Sequence, residues 1–286
     1  MAITIGSNNS SINAQNRLGK STDALNRVYE KLSSGQRINR ASDDAAGLAI
    51  AEGLRADARI ASVATRNAND GISVIAIADS ALSEIGNVLG RLAELAEQSA
   101  NGTITTTQRS ALAAEFTALG SEIERIAKNT EFNGVKLISG GSAISFQVGI
   151  KGVDANSQIT LNGVQGTLNA LGLGNTNGEL TYSVNATSNT LAQDAAKNAL
   201  DAVKNAITSL TTSRGTLGST ESRLSVAISN LQTARENFLA AEGRIRDVDV
   251  ASEAAELTRL GILQQAGASI LAQANQQPGL ALSLLG

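Results

Sequence analysis

The chain has no cysteine, no histidine and no tryptophan, and its one proline stands at position 278. Without cysteine there can be no disulfide, thiolate nucleophile or iron–sulfur cluster, and without histidine nearly all zinc sites go as well. A histidine-dependent catalytic triad falls by the same count. No cofactor is expected. Aromatic residues make up only 2%, four Phe and two Tyr, so burial has to come from many small aliphatic side chains. Charge of one sign is also scarce: 23 basic against 26 acidic residues leave −3, too little for a nucleic-acid footprint. The opening MAITIGSNNSS lacks the basic and apolar regions of a cleavable secretory signal. No run reaches the ~18 continuous apolar residues of a membrane helix, so no membrane insertion is expected.

What is present is periodicity. Val203, Leu210, Leu217, Leu224, Leu231, Phe238 and Ile245 recur every seven residues, with Ile207 and Ile228 between them. Such a run reads as a coiled-coil-like seam. In the first half Ile75, Ala78, Leu82, Ile85, Leu89, Leu92 and Ala96 keep a strict 3–4 spacing. Ala61, Ala64, Ala68 and Gly71 extend it backwards with small residues. Ser42-Asp43-Asp44 offers a cap before that helix and Asn101-Gly102 an end. Leu112, Phe116, Leu119, Ile123 and Ile126 mark a third helix. The helices are expected over about 43–99, 106–129 and 190–246. The first would run ~85 Å at ~1.5 Å per residue. A compact globule of this chain length has a radius of gyration of only ~19 Å. The expectation is therefore a mainly α, elongated antiparallel helical rod.

Between the arms, 133–188 is rich in Gly, Asn, Ser and Thr. Ile144–Val148, Gln158–Leu161 and Leu180–Val184 read as strands, and Asn133-Gly134 and Asn162-Gly163 as tight turns. This small β-rich segment is expected at the distal end. Leu18, Leu25, Val28 and Leu32 near the N-terminus, and Leu260, Leu263, Gly267, Ile270 and Ala274 near the C-terminus, make thin apolar stripes. Neither is enough for a private core. The ends are expected to pair with each other and with neighbouring copies. Three domains follow: a terminal helix over 1–41, a rod over 42–246, and a terminal helix over 247–286. The rod core is assigned to Leu82, Ile85, Leu89, Leu92, Leu210, Leu217, Leu224, Leu231 and Phe238, and self-assembly to Leu18, Leu25, Val28, Leu32, Leu260, Leu263 and Ile270.

Candidate chemistry is thin. Gly19-Lys20-Ser21 resembles the tail of a phosphate-binding loop, but Ala14 stands where that motif has its first glycine. Asp247 and Asp249 have nothing nearby to complete a metal cage or an acid–base pair. No catalytic residue is assigned.

Longer segments are specific. ALNRVYEKLSSGQRINRASDDAAGLAIA at 24–51, RNANDGIS at 66–73, ELAEQSANGT at 94–103 and EFNGVKL at 131–137 resemble the N-terminal signature of bacterial flagellin. RIRDVDVASEAAELTR at 244–259 and ILQQAGASILAQANQQPGLALSLLG at 262–286 resemble its C-terminal signature. The resemblance implies a structural subunit that polymerises with its own kind into the extracellular helical filament of motility. It implies export unfolded through the flagellum's type III apparatus, an export chaperone on the C-terminal segment, and cap and hook-junction proteins as partners. Larger flagellins carry outer domains where this chain has only the segment 133–188, so no full outer domain is expected. A hook–filament junction protein is the alternative within the same apparatus. A secreted adhesin or enzyme on a helical stalk is the alternative outside it. An animal Toll-like receptor recognises the rod of many flagellins, and the family's contact positions fall on Arg91, Leu95 and Glu115. Nearby, Ala93 stands where a basic residue is common and Glu97 where an apolar one is.

Overall fold

The computed structural model describes residues 7–140, 143–152 and 154–283. In chain order these form α1 (Asn9–Ser34), α2 (Ala45–Ala100), α3 (Thr106–Asn129), β1 (Glu131–Phe132), β2 (Val135–Lys136), β3 (Ile144–Gln147), β4 (Gln158–Leu161), α4 (Asn189–Arg246) and α5 (Val250–Ser283). The class is mainly α. Two compact units are present. One gathers Met1–Ala58 and Glu236–Gly286, the other Arg59–Arg235. The divisions fall inside α2 and α4, not at the helix starts near 42 and 247.

The helix ends follow local chemistry. Asp44 Oδ1 accepts from the Gly47 amide at 2.8 Å and caps α2. After Ala100, Asn101 Oδ1 accepts from the Thr103 amide at 3.1 Å, an Asx turn that closes the helix. Thr105 and Gln108 complete a reciprocal capping box on α3.

The unit of Arg59–Arg235 holds the main core. Ala61, Ala64, Ala68, Ile75, Ala78, Leu82, Ile85, Leu89, Leu92 and Ala96 of α2 are all buried, as are Val203, Leu210, Leu217, Leu224 and Leu231 of α4. The two helices run antiparallel. A Cβ on Gly71 would meet Leu224 Cδ1 at 3.1 Å, one on Gly86 would meet Leu210 Cδ2 at 3.2 Å, and Asp79 pairs with Arg214. By length and composition α2 could cross a membrane, but the apolar residues named above line this core. Phe238 departs from the expected core. It lies in the other unit and is only half-buried, because the seam loses its dense packing beyond Leu231.

The β content is smaller than the alternation suggests. β1 and β2 form a hairpin closed by Asn133-Gly134, both left-handed with φ 49° and 77°. β3 and β4 pair antiparallel from Ile144↔Leu161 to Gln147↔Gln158. Phe146 lies over Gly71, where a Cβ would stand a tight 3.1 Å from its ring. Two expectations fail. Leu180–Val184 is no strand, since only Leu180 makes an isolated bridge, to Gly174. Leu180 instead presses onto Gly120 of α3, and Val184 is fully buried. Asn162-Gly163 makes no turn: 162–166 runs on without one, towards the buried Val164. At Leu180 the alternation reports burial against a helix, not sheet pairing.

Candidate assembly surface

The other unit is organised by α1 and α5, which lie antiparallel. The register is marked by Lys31–Glu253 at 3.6 Å, Gln264 Nε2 to Thr22 Oγ1 at 3.3 Å, and Ser11 Oγ to Asn275 Oδ1 at 2.6 Å. Asn8 caps α1 through the Ser11 amide and donates to the Ala274 carbonyl at 2.8 Å. On α1 the inward positions step 3–4 through Ser11, Ala14, Leu18, Ser21, Leu25, Val28 and Leu32. On α5 they are Leu257, Leu260, Gln264, Gly267, Leu271 and Ala274. Gly267 admits Leu18, whose Cδ1 is 3.4 Å from where a Cβ would stand.

This geometry divides the expected assembly residues into two groups. Leu25, Val28 and Leu260 are buried within the chain, and Leu18 and Leu32 are half-buried on the same seam. They hold α1 to α5 and are not a free surface. Leu263 and Ile270 each stand one residue before a seam position, Gln264 and Leu271, about 100° round the helix, and so fall on the flank, 47% and 57% exposed. The single C-terminal stripe is therefore two faces. Ile262, 62% exposed, and Ile12 on α1, 54% exposed, are also free apolar side chains. Sequence reading missed both because they stand off the 3–4 spacing.

The strand-like junctions of this unit tie its helices at their roots. Gly35, left-handed with φ 71°, ends α1. Arg37 then donates its amide to the Arg246 carbonyl at 2.6 Å, and the Val248 amide donates to Gly35 at 3.1 Å. Arg246 reaches Glu52 at 2.8 Å. The amides of Arg40 and Asn39 bond the Asp43 carboxylate and hold its pKa below the ordinary range.

Arg91, Leu95 and Glu115, the positions that the resemblance assigns to a receptor, lie in the unit of Arg59–Arg235. Arg91 donates to Glu115 and to Glu94, both at 2.9 Å, and these hydrogen bonds raise its pKa, that to Glu94 most. Arg91 and Glu115 are exposed. Leu95 is not: it is 1% exposed and part of the core. It flanks the Leu92–Ala96 seam, but here α2 meets α3 and the 131–184 segment as well as α4, so the buried face widens to take it in. Its assignment as a surface contact is overturned. Arg109, which no pattern marked, is fully buried and holds three elements together. It bonds the carbonyls of Ser99 and Asn101 beyond the end of α2 at 2.9 and 2.8 Å, and Asn189 Oδ1 at the start of α4 at 2.8 Å. Among the described residues no cluster of His, Cys, Asp or Glu could hold a metal.

Long helices joined to a pair of antiparallel terminal helices define a helical protein of elongated elements. Its membership is given by comparison. The bacterial flagellin N-terminal helical region matches residues 5–143 and the C-terminal helical region matches 200–285. The flagellin of Halalkalibacterium halodurans is 42% identical, over 98% of this chain and 99% of that protein. The flagellin of Bacillus subtilis is 40% identical over the same shares. A putative flagellar hook-associated protein from Vibrio parahaemolyticus shares the fold at a TM-score of 0.58 and 14% identity, covering 72% of this chain and all of that one. The chain belongs to the bacterial flagellin family, a family of structural proteins and not of enzymes, and is a subunit of the extracellular flagellar filament.

Proposed function

We propose that this subunit polymerises through the free apolar flank of its paired terminal helices, with Leu263 and Ile270 of α5 at the centre. The observation that carries the reading is the division of α5: Leu260, Gly267 and Ala274 are spent on α1, while Leu263, Ile270 and Ile262 stay exposed. Large apolar side chains left exposed together on one helix mark an interaction surface. Burying one Ile contributes roughly 1.5–3 kcal/mol, a gain repeated at every subunit. The full-length likeness to flagellins supports a filament subunit over a hook–filament junction protein. A stalked adhesin or enzyme finds no support among the described residues, where no group of His, Cys, Asp or Glu could hold a metal.

The family resemblance further implies export through the type III apparatus without a cleavable signal, an export chaperone on α5 before assembly, and cap and hook-junction partners. A Toll-like receptor contact would rest on Arg91 and Glu115 alone, already engaged with each other; Arg91→Ala should weaken receptor binding and leave polymerisation unchanged. The deciding experiment is Ile270→Asp followed by circular dichroism and seeded elongation under the electron microscope. Helicity should be near normal and elongation abolished. Normal elongation into normal filaments would overturn the assembly reading.

A further inference from the structure

Four Asn-Gly dipeptides occur in the chain, at 101–102, 133–134, 162–163 and 177–178. Such a pair can modify itself. The glycine amide nitrogen attacks the asparagine side-chain carbonyl, a C–N bond forms to close a five-membered succinimide, and the side-chain nitrogen leaves as ammonia. Water then opens the ring to aspartate or isoaspartate. Water and hydroxide are the only co-reactants, and no electron changes hands. Ring closure requires that the asparagine torsions turn freely and that the glycine N–H be available.

The fold withholds these conditions at three of the four sites. Asn101 Oδ1 accepts from the Thr103 amide and hydroxyl, both at 3.1 Å, and its main-chain carbonyl accepts from Arg109 at 2.8 Å, so both torsions are pinned. Asn133 sits in the two-residue turn between β1 and β2, and the Phe132↔Val135 pair locks the torsion that has to rotate. At Asn177 the nucleophile itself is engaged, since the Gly178 amide donates to the Asn175 carbonyl at 3.1 Å. Asn162 and Gly163 differ. Both are exposed, they lie where the chain leaves β4 without a turn, and among the described residues neither the Asn162 side chain nor the Gly163 amide is hydrogen-bonded.

We propose that Asn162-Gly163 is a self-modifying site, the position at which the folded subunit deamidates first and records its own age. Each event adds one negative charge to a chain whose net charge is −3. The isoaspartate product also lengthens the main chain by a methylene between Leu161 and Val164, which are anchored in the core at 4% and 5% exposure. An old filament thus carries a more acidic and locally strained copy of this segment.

The test is ageing of the full-length subunit in mildly alkaline buffer, native and in denaturing urea, followed by tryptic digestion and mass spectrometry. Trypsin puts Asn101 and Asn133 on separate peptides, and fragment ions resolve Asn162 from Asn177 within Gly152–Lys197. Isoaspartate is read separately by methyl transfer from an isoaspartyl methyltransferase. In urea all four sites should react at comparable rates. In the native protein Asn162 should outpace each of the others several-fold. Gly163→Ala, at a position without left-handed backbone, should slow Asn162 alone while leaving the circular dichroism unchanged. Native protein in which Asn162 reacts no faster than Asn101, Asn133 or Asn177 overturns the proposal. So does a Gly163→Ala chain that is folded and deamidates there at the original rate.

Discussion

Ser21 points its hydroxyl into the α1–α5 seam, where it is buried without a partner among the described residues. A buried, unsatisfied hydroxyl costs on the order of 1–3 kcal/mol, and alanine is also the better helix former. Ser21→Ala should therefore raise the stability of the α1–α5 pair by about 1 kcal/mol. Urea titration followed at a probe placed on α5 will show it; a lower midpoint would mean that the hydroxyl is satisfied. Arg109 is the opposite case. Its three acceptors include carbonyls at the C-terminal end of α2, where the helix dipole favours a cation. Arg109→Leu should destabilise the protein by roughly 3 kcal/mol, and Arg109→Lys by less, since an ammonium cannot present the planar fork. Calorimetry of the two variants decides this. Neither residue was legible in the sequence. A serine on a seam and an arginine near a helix start look like any others until the neighbouring elements are in place.

Among elements, the heptad repeat of α4 was the most readable feature, and the structure shows where reading it as one seam goes too far. Leu224 is fully buried against Gly71, whereas Phe238 at the same repeat position is half-buried. Leu224→Asp places an unpaired charge in the core and should cost several kcal/mol. Phe238→Asp should cost much less. Equal shifts in melting temperature would show that burial does not grade along α4. Arg214 on the same helix is the cross-helix tie to Asp79, at 2.7 and 3.0 Å. The Arg214 hydrogen bond holds the Asp79 pKa below its ordinary value. The pair's contribution is thus complete above the ordinary carboxylate pKa and fades as pH falls through the depressed one. Both side chains are more than a third exposed, so solvent keeps it small. The β-rich segment was the least readable because its alternating residues serve two ends. Ile159 and Leu161 alternate within a ladder, but Leu180 packs on α3 and Val184 is buried outside any strand.

On the scale of the whole chain, apolar burial is distributed unequally. One contiguous cluster in the unit of Arg59–Arg235 runs from Ala68 to Leu224, while among the described residues the α1–α5 pair gathers a small cluster of Leu25, Val28 and Leu260 with a few half-buried neighbours. The rest of that pairing is made by small or polar residues: Ser11 with Asn275, Thr22 with Gln264, Gly267 under Leu18. Local opening free energies follow buried apolar contact density, so the terminal helices should open well below the cost of global unfolding. The thin terminal stripes already pointed to this in the sequence; which of their residues are satisfied inside one chain only the helix register could tell. Binding to the paired form of α1 and α5 stabilises that form by mass action. In hydrogen exchange on the monomer, amides of 9–34 and 250–283 should therefore exchange faster than those of 75–96 and 196–224. In seeded filaments that gap should close, with the largest gain in protection along α5 around Leu263 and Ile270. Terminal helices as protected in the monomer as the main core would mean that the chain arrives at the filament already fixed. Polymerisation would then draw nothing from their ordering.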